Sequence, residues 1–140
     1  MTVPLNFTRF LKTETDSVVW WTAISELSAL QAALILSPAY GRFQTYYSSL
    51  IEKLTANLGW VEKSEDKQLW HVRALVRAQA LGLAVNLRDS STIEFALKQF
   101  ALIKEGKPDE SLPIDVIGII YQAAAEWGTE GNFIWEFTRL

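Results

Sequence analysis

WHVRALVRAQALGLAV, residues 70–85, has the composition of a helix and is apolar on nearly every side. An amphipathic helix on the surface of a globular protein carries one apolar stripe of roughly 100° and is polar elsewhere. In this stretch the apolar residues are interrupted by only four polar ones, namely His71, Arg73, Arg77 and Gln79. Such a helix has to be covered on more than one face, as the inner helix of a layered stack is.

The sequence on both sides of this stretch also has helical periodicity, and no run alternates polar and apolar residues over the length of a strand. Helix boundaries are indicated by N-cap residues, proline and glycine, and by a capping box at Ser91 and Glu94. The predicted helices have these bounds: residues 5–12, the Asp16-Ser17 pair to Ser37, residues 39–58, the N-cap Ser64 to Leu87, Ser91 to Gly106, and Pro113 to Gly128. A short last helix is predicted after Asn132. The sequence therefore predicts an all-α fold of about six to seven helices.

Short connections of about three to seven residues separate these helices, so consecutive helices should pack roughly antiparallel. Together with the covered helix of residues 70–85, this favours antiparallel helix pairs stacked as a short α-solenoid of the HEAT or armadillo type. The 140 residues are about the size of one domain. We therefore expect residues 1–140 to form a single helical domain.

Composition and charge narrow the choice of partners. The formal net charge is -3, and no run of Lys and Arg could neutralise a row of phosphates, so nucleic acid is not an expected partner. No segment has the roughly 20 apolar residues that span a bilayer, and no transmembrane segment is predicted. Asn6-Phe7-Thr8 fits the pattern of a glycosylation acceptor. The compartment stays open between the cytoplasm and an extracellular or endoplasmic-reticulum lumenal location.

No residue pattern indicates a catalytic site or a metal site. His71 is the one histidine of the chain, which also lacks cysteine, so there is no His-Glu-x-x-His spacing and no thiolate to hold zinc. Nucleotide-binding glycine loops and the Gly-x-Ser-x-Gly nucleophile elbow are missing as well. The acidic residues Glu62, Glu65 and Asp66 stand at the predicted entrance of a helix, where negative charge favours the helix dipole. We assign no catalytic residue, no metal ligand and no cofactor to this chain.

Arg73 and Arg77 are the candidate binding residues, because a spacing of four places both guanidinium groups on one face of an otherwise apolar helix. Two interpretations stay open. The pair could form salt bridges with acidic groups of a neighbouring helix, or it could bind the carboxylate of a substrate or an acidic group of a partner.

Three segments, in this order and spacing, resemble one protein family: RFLKTETDSVVWWTAISELSAL (residues 9–30), LGWVEKSEDKQLWHVRALVRAQALGLAVNL (58–87) and LPIDVIGIIYQAAAEWGTEGNFIWEF (112–137). They are similar to the C-terminal helical domain of zinc aminopeptidases of the aminopeptidase N, puromycin-sensitive and endoplasmic-reticulum type. The resemblance covers essentially the whole chain, although Val19 stands where the family has a proline before Trp20.

The resemblance implies a superhelical stack of HEAT-like or armadillo-like helix pairs that covers the active-site cavity of a metallopeptidase domain. The family's zinc-binding helix and its Gly-x-Met-Glu-Asn motif have no counterpart in this sequence, so the chain is not expected to be an enzyme by itself. Zinc is expected in the catalytic domain of the parent protein, which would be the main partner. The resemblance also implies an incomplete part of a longer C-terminal domain, with Arg73 and Arg77 as candidates for contact with a peptide substrate.

Two other functions are compatible with the sequence. A free-standing helical-repeat module could bind another protein or a peptide on its concave face, which the succession of helices and the six tryptophans favour. A helical bundle that binds a small ligand is supported by the apolar helix of residues 70–85 alone. If the stack is truncated, its uncovered apolar faces should favour self-association.

Overall fold

The computed structural model describes residue 6 and residues 8–129. A 3₁₀ helix at Arg9–Lys12 is followed by five α-helices: α1 (Ser17–Leu34), α2 (Tyr40–Leu58), α3 (Trp70–Asn86), α4 (Ser90–Lys104) and α5 (Ile114–Trp127). This part of the chain contains no β-strand, which confirms the all-α prediction. The short helix predicted after Asn132 lies outside the described residues.

Helix α3 lies at the centre of the fold and contacts each of the other four α-helices. It packs with α1 and α2 in one apolar cluster and with α4 and α5 in a second one. This double coverage explains why residues 70–85 are apolar on nearly every side, and it confirms the predicted inner helix. The two helix pairs that share α3 form a solenoid-like arrangement.

The first apolar cluster joins α1 and α2 to one face of α3. Val76, Ala80 and Ala84 are four residues apart, so they lie on the same side of α3, and all three are buried in this cluster. Helices α1 and α2 contribute large side chains, of which Trp20 and Tyr47 are fully buried. Their polar atoms are satisfied, because the Trp20 indole N–H donates to the carbonyl of Glu14 and the Tyr47 hydroxyl bonds to that of Ser28.

The second apolar cluster joins the far end of α3 to α4 and α5. Its buried members are Val85 of α3, Ala96 and Phe100 of α4, and Ile120, Ala123 and Ala124 of α5. The small residues let the helices approach closely. At Gly82 an added Cβ would lie 3.4 Å from Ile119 Cδ1 on α5. Helix α5 is therefore packed directly against α3.

Helix α3 begins at Trp70, so the predicted start after Ser64 is wrong. Residues 59–69, called the linker below, are not helical, and Leu69 adopts a left-handed conformation with φ 57°. Side chains in the linker hydrogen-bond to backbone N–H groups two residues ahead, as Glu62 does to Ser64 and Asp66 does to Gln68. Such local bonds compete with helix formation, which explains the late start.

Two other predicted boundaries also differ from the structure. Helix α4 begins at Ser90 with Asp89 as its N-cap, because the Asp89 carboxylate accepts a hydrogen bond from the Thr92 backbone N–H. The predicted capping box of Ser91 and Glu94 is therefore wrong. Of the helix predicted over residues 5–12, the last four residues form the 3₁₀ helix Arg9–Lys12. The predicted stops at Ser37, Gly59, Gly106 and Gly128 are confirmed to within a few residues.

Candidate functional site

The guanidinium groups of Arg73 and Arg77 meet at one carboxylate, that of Glu62. Arg73 Nε lies 3.1 Å and Arg77 Nη2 lies 3.3 Å from the same atom, Glu62 Oε2. Helix α3 provides both arginines on one face, as their spacing predicted, and the linker provides the glutamate. The structure therefore pairs the arginines with an acidic group of the linker and not with one of a neighbouring helix.

The same two arginines also bind backbone carbonyl oxygens at both ends of the linker. Arg73 donates to the carbonyls of Gln68, at 2.9 Å, and of Asp66. Arg77 Nε donates to the carbonyl of Leu58, the last residue of α2, at 3.5 Å. The pair thus holds the linker against the first turns of α3.

The two arginines differ in how much of the side chain is exposed to solvent. The Arg77 side chain is 3% exposed, whereas that of Arg73 is 17% exposed and that of Glu62 is 32% exposed. A charge that is removed from water needs a partner of opposite charge, and Glu62 supplies it for Arg77. Glu62 thus supplies the opposite charge that offsets the cost of burying the Arg77 guanidinium.

The pKa of Glu62 lies below the ordinary value of a glutamate. Partial burial acts to raise this pKa, but hydrogen bonds from the Ser64 backbone N–H and from Arg73 and Arg77 together outweigh it. The carboxylate therefore stays ionised well into the acidic range. In this arrangement the arginines already hold a carboxylate of their own chain, and their use by a substrate stays a prediction.

The described residues do not form a metal site. His71 is exposed and stands edge-on to the ring of Trp70, with the ring centres 6.3 Å apart. Within residue 6 and residues 8–129, no three His, Asp or Glu side chains are grouped closely enough to hold a metal ion.

An apolar groove of about 710 Å³ runs along α1, and sequence reasoning did not find it. It is called the α1 groove below, and it is lined by Thr8, Phe10, Leu11, Val18, Val19, Thr22, Ala23, Glu26, Leu27 and Leu30. Phe10 is 54% exposed and Val18 is 49% exposed at its rim. The signal in the sequence was an apolar residue at every third or fourth position from Val19 to Leu30. The fold leaves this side of α1 without a covering helix among the described residues.

The sequence model of the ERAP1-like C-terminal domain matches residues 1–140. This chain belongs to the ERAP1-like C-terminal domain family. Among curated proteins, it is 29% identical to aminopeptidase A of Gloydius brevicauda over 119 residues, which are 84% of this chain and 12% of that protein. It is 26% identical to glutamyl aminopeptidase of Rattus norvegicus over 136 residues, 96% of this chain and 13% of the relative. It is 25% identical to glutamyl aminopeptidase of Homo sapiens over 138 residues, which are 97% of this chain and 14% of that protein.

These matches confirm the family resemblance inferred from the sequence. This ERAP1-like C-terminal domain spans about 12% to 14% of the length of the curated relatives that it matches. No solved structure gives a significant match to it. Across residues 8–129, no helix is both long enough and apolar enough to cross a bilayer.

Proposed function

We propose that this ERAP1-like C-terminal domain is a non-catalytic helical part of a zinc aminopeptidase, in which it forms a wall over the active-site cavity. The observation that carries the proposal is the family match over residues 1–140, together with relatives that are named as aminopeptidases. In those relatives the matched region is a small part of a much longer chain. The rest of such a chain would contain the catalytic domain, which is the partner that we propose.

The chemistry of the described residues supports a role other than catalysis. A guanidinium group stays protonated in proteins, so Arg73 and Arg77 can bind an anion but cannot act as a general base or a nucleophile. Zinc needs three or four grouped ligands, and the described residues do not provide them. We therefore place the zinc ion and the catalytic residues in the catalytic domain of the parent protein.

The α1 groove supports the idea of a wall that packs against another domain. An exposed apolar surface of this kind marks an interaction site in many soluble proteins. Glu26 is the charged member of its lining, so a largely apolar partner surface would fit it. Contact with a peptide substrate is a further part of the proposal, with Arg73 and Arg77 as the groups suited to a carboxylate.

The absence of catalysis is tested with the isolated chain. Purified protein is incubated with glutamyl-coumarin and leucyl-coumarin substrates in the presence of zinc, and release of the fluorophore is followed. We expect no turnover above the buffer. Turnover that survives repurification and disappears when this chain is mutated would refute the proposal.

The docking role is tested with a matched pair of variants on α1. Thr22 and Ser25 are both small, exposed hydroxyl residues, but only Thr22 lines the α1 groove. The binding partner is a glutamyl aminopeptidase from which the ERAP1-like C-terminal domain has been removed. We expect Thr22→Glu to weaken binding in titration calorimetry and Ser25→Glu to leave it unchanged. Equal affinities would show that the groove is not the contact surface, whereas binding by neither variant nor wild type would argue against the partner itself.

A further inference from the structure

The linker of residues 59–69 is attached to the rest of the fold in two different ways. At its beginning, the ring of Trp60 packs on that of Phe95 in α4, with the ring centres 4.6 Å apart. Residues 63–69 are all exposed. Arg73 holds this exposed part through the carbonyls of Asp66 and Gln68, and both Arg73 and Arg77 hold Glu62 just before it.

We propose that the linker is a strap that opens while the five helices stay packed, with Glu62 as its latch. The two helix clusters are held by buried apolar side chains, whereas beyond Trp60 the strap is held by charged and polar contacts that are partly exposed to solvent. Salt screens the Arg73–Glu62 pair, whose side chains are 17% and 32% exposed, more than the pair with buried Arg77, whereas apolar packing does not weaken in this way. The contacts of the strap are therefore more sensitive to salt than the packing of the helices, and the strap opens first as the salt concentration rises.

Glu62 acts as the latch because one carboxylate serves both guanidinium groups. Without it, the hydrogen bond to the carbonyl of Leu58 would be the one that Arg77 keeps among the described residues, and its charge would be buried without an opposite charge. The buried cation would then have to reach water, and because Glu62 lies beside it, we expect the adjoining linker to move aside. Loss of the Glu62 charge is therefore expected to displace the strap.

The backbone at both ends of the linker suits this opening. Gly59 has φ 64° and Leu69 has φ 57°, and a leucine adopts the left-handed conformation only at an energetic cost. Once the strap is released, Leu69 is free to return to an ordinary conformation. Opening also releases Arg77 from the carboxylate of Glu62.

Limited trypsin digestion tests the strap, since Lys63 and Lys67 lie inside it. Wild type, Glu62→Gln and Glu65→Gln are digested under native conditions, and the fragments are assigned by mass spectrometry. Glu65 is an exposed glutamate of the same linker and has no ion pair within residues 8–129, so its variant controls for the change of net charge. We expect cleavage at Lys63 and Lys67 to be about tenfold faster in Glu62→Gln, the factor that one charge-assisted hydrogen bond represents. The Glu65→Gln rate should equal that of wild type.

Salt gives a second measurement that needs no variant. Raising the salt from about 10 mM to about 1 M shortens the screening length from about 30 Å to about 3 Å. In wild type we expect faster cleavage at Lys63 and Lys67, after correction for the salt response of trypsin on a small substrate, and constant cleavage within the helices. The proposal is overturned if Glu62→Gln is cleaved like Glu65→Gln, if salt leaves cleavage of the strap unchanged, or if strap and helices are cleaved in parallel.

Discussion

The indole N–H of Trp127 donates a hydrogen bond of 3.1 Å to the carbonyl oxygen of Val85, and so ties the end of α5 to the end of α3. The guanidinium of Arg88 lies over the same indole ring, 5.2 Å from its centre. Trp127 is 36% exposed, yet it has a specific polar partner at the edge of the second apolar cluster. Its position shows how the last turn of α5 is fixed without full burial.

Replacing this tryptophan should remove the bond while keeping an aromatic ring. Trp127→Phe is expected to lower the free energy of unfolding by about 1 kcal/mol, the net contribution of one hydrogen bond. Urea denaturation measures the change. Trp21→Phe is the matched control, because Trp21 is 42% exposed and its indole N–H forms no hydrogen bond with the described residues. Equal losses in the two variants would show that the Val85 contact contributes nothing measurable.

The central position of α3 predicts that two leucines of that helix contribute very differently to the free energy of unfolding. Leu81 is 1% exposed, whereas Leu75 is 48% exposed. We expect Leu81→Ala to lower the free energy of unfolding by about 2–5 kcal/mol, because it removes buried methyl groups and leaves a cavity. Leu75→Ala should change it by less than about 1 kcal/mol. Thermal and urea unfolding check both values, and a similar loss for both leucines would contradict the inner position of α3.

The inner helix could be predicted because it depends on composition alone. A helix that is apolar on nearly every side has to be covered on more than one face, whatever the identity of its neighbours, and α3 is covered by four helices. The arginine pair could also be found, since the spacing of Arg73 and Arg77 fixes their shared face.

The partner of the arginines could not be predicted, because Glu62 reaches them through the path of the linker. From the sequence, Glu62 and its acidic neighbours are explained equally well by a helix entrance. The α1 groove was missed for a related reason. Periodicity shows that a helix has an apolar face, but only the packing shows whether another element covers that face, as α3 covers part of α1.

The N-cap of α4 provides a third prediction. Asp89 accepts hydrogen bonds from the Thr92 backbone N–H, the Thr92 hydroxyl and the Ser91 hydroxyl. Asp89→Ala should destabilise the protein by about 1 kcal/mol, whereas Asp89→Asn should have little effect near neutral pH because asparagine is an equally good N-cap. Unfolding in urea at pH 7 separates the two variants. If Asp89→Ala is as stable as wild type, the cap contributes nothing to α4.

The same aspartate predicts a loss of stability in acid. Partial burial acts to raise the pKa of Asp89, but the bonds from Thr92 and Ser91 outweigh it and hold the pKa below the ordinary value. The unfolded chain then binds the proton more readily than the folded one, so the stabilisation is present above about pH 3.9 and is lost as the pH falls through the folded pKa. We expect the wild type to lose more stability than Asp89→Asn between about pH 5 and pH 2. Parallel curves for the two proteins, measured by thermal unfolding, would contradict this assignment.

Two glycines provide the last prediction, because the same substitution should have opposite effects on them. Gly118 lies inside α5, is exposed, and would have no atom within 4 Å of an added Cβ. Gly118→Ala should therefore stabilise the protein by about 0.5–1 kcal/mol, since alanine favours a helix interior over glycine by that amount. Gly59, which ends α2, has φ 64°, and a Cβ there would lie 3.1 Å from Lys63 Nζ. Gly59→Ala should destabilise by about 1–3 kcal/mol, because a backbone with φ 64° and ψ -167° is open to glycine and costly for alanine. Urea unfolding of the two variants side by side provides the comparison, and a gain of stability in Gly59→Ala would contradict the positive φ at the end of α2, from which the linker begins.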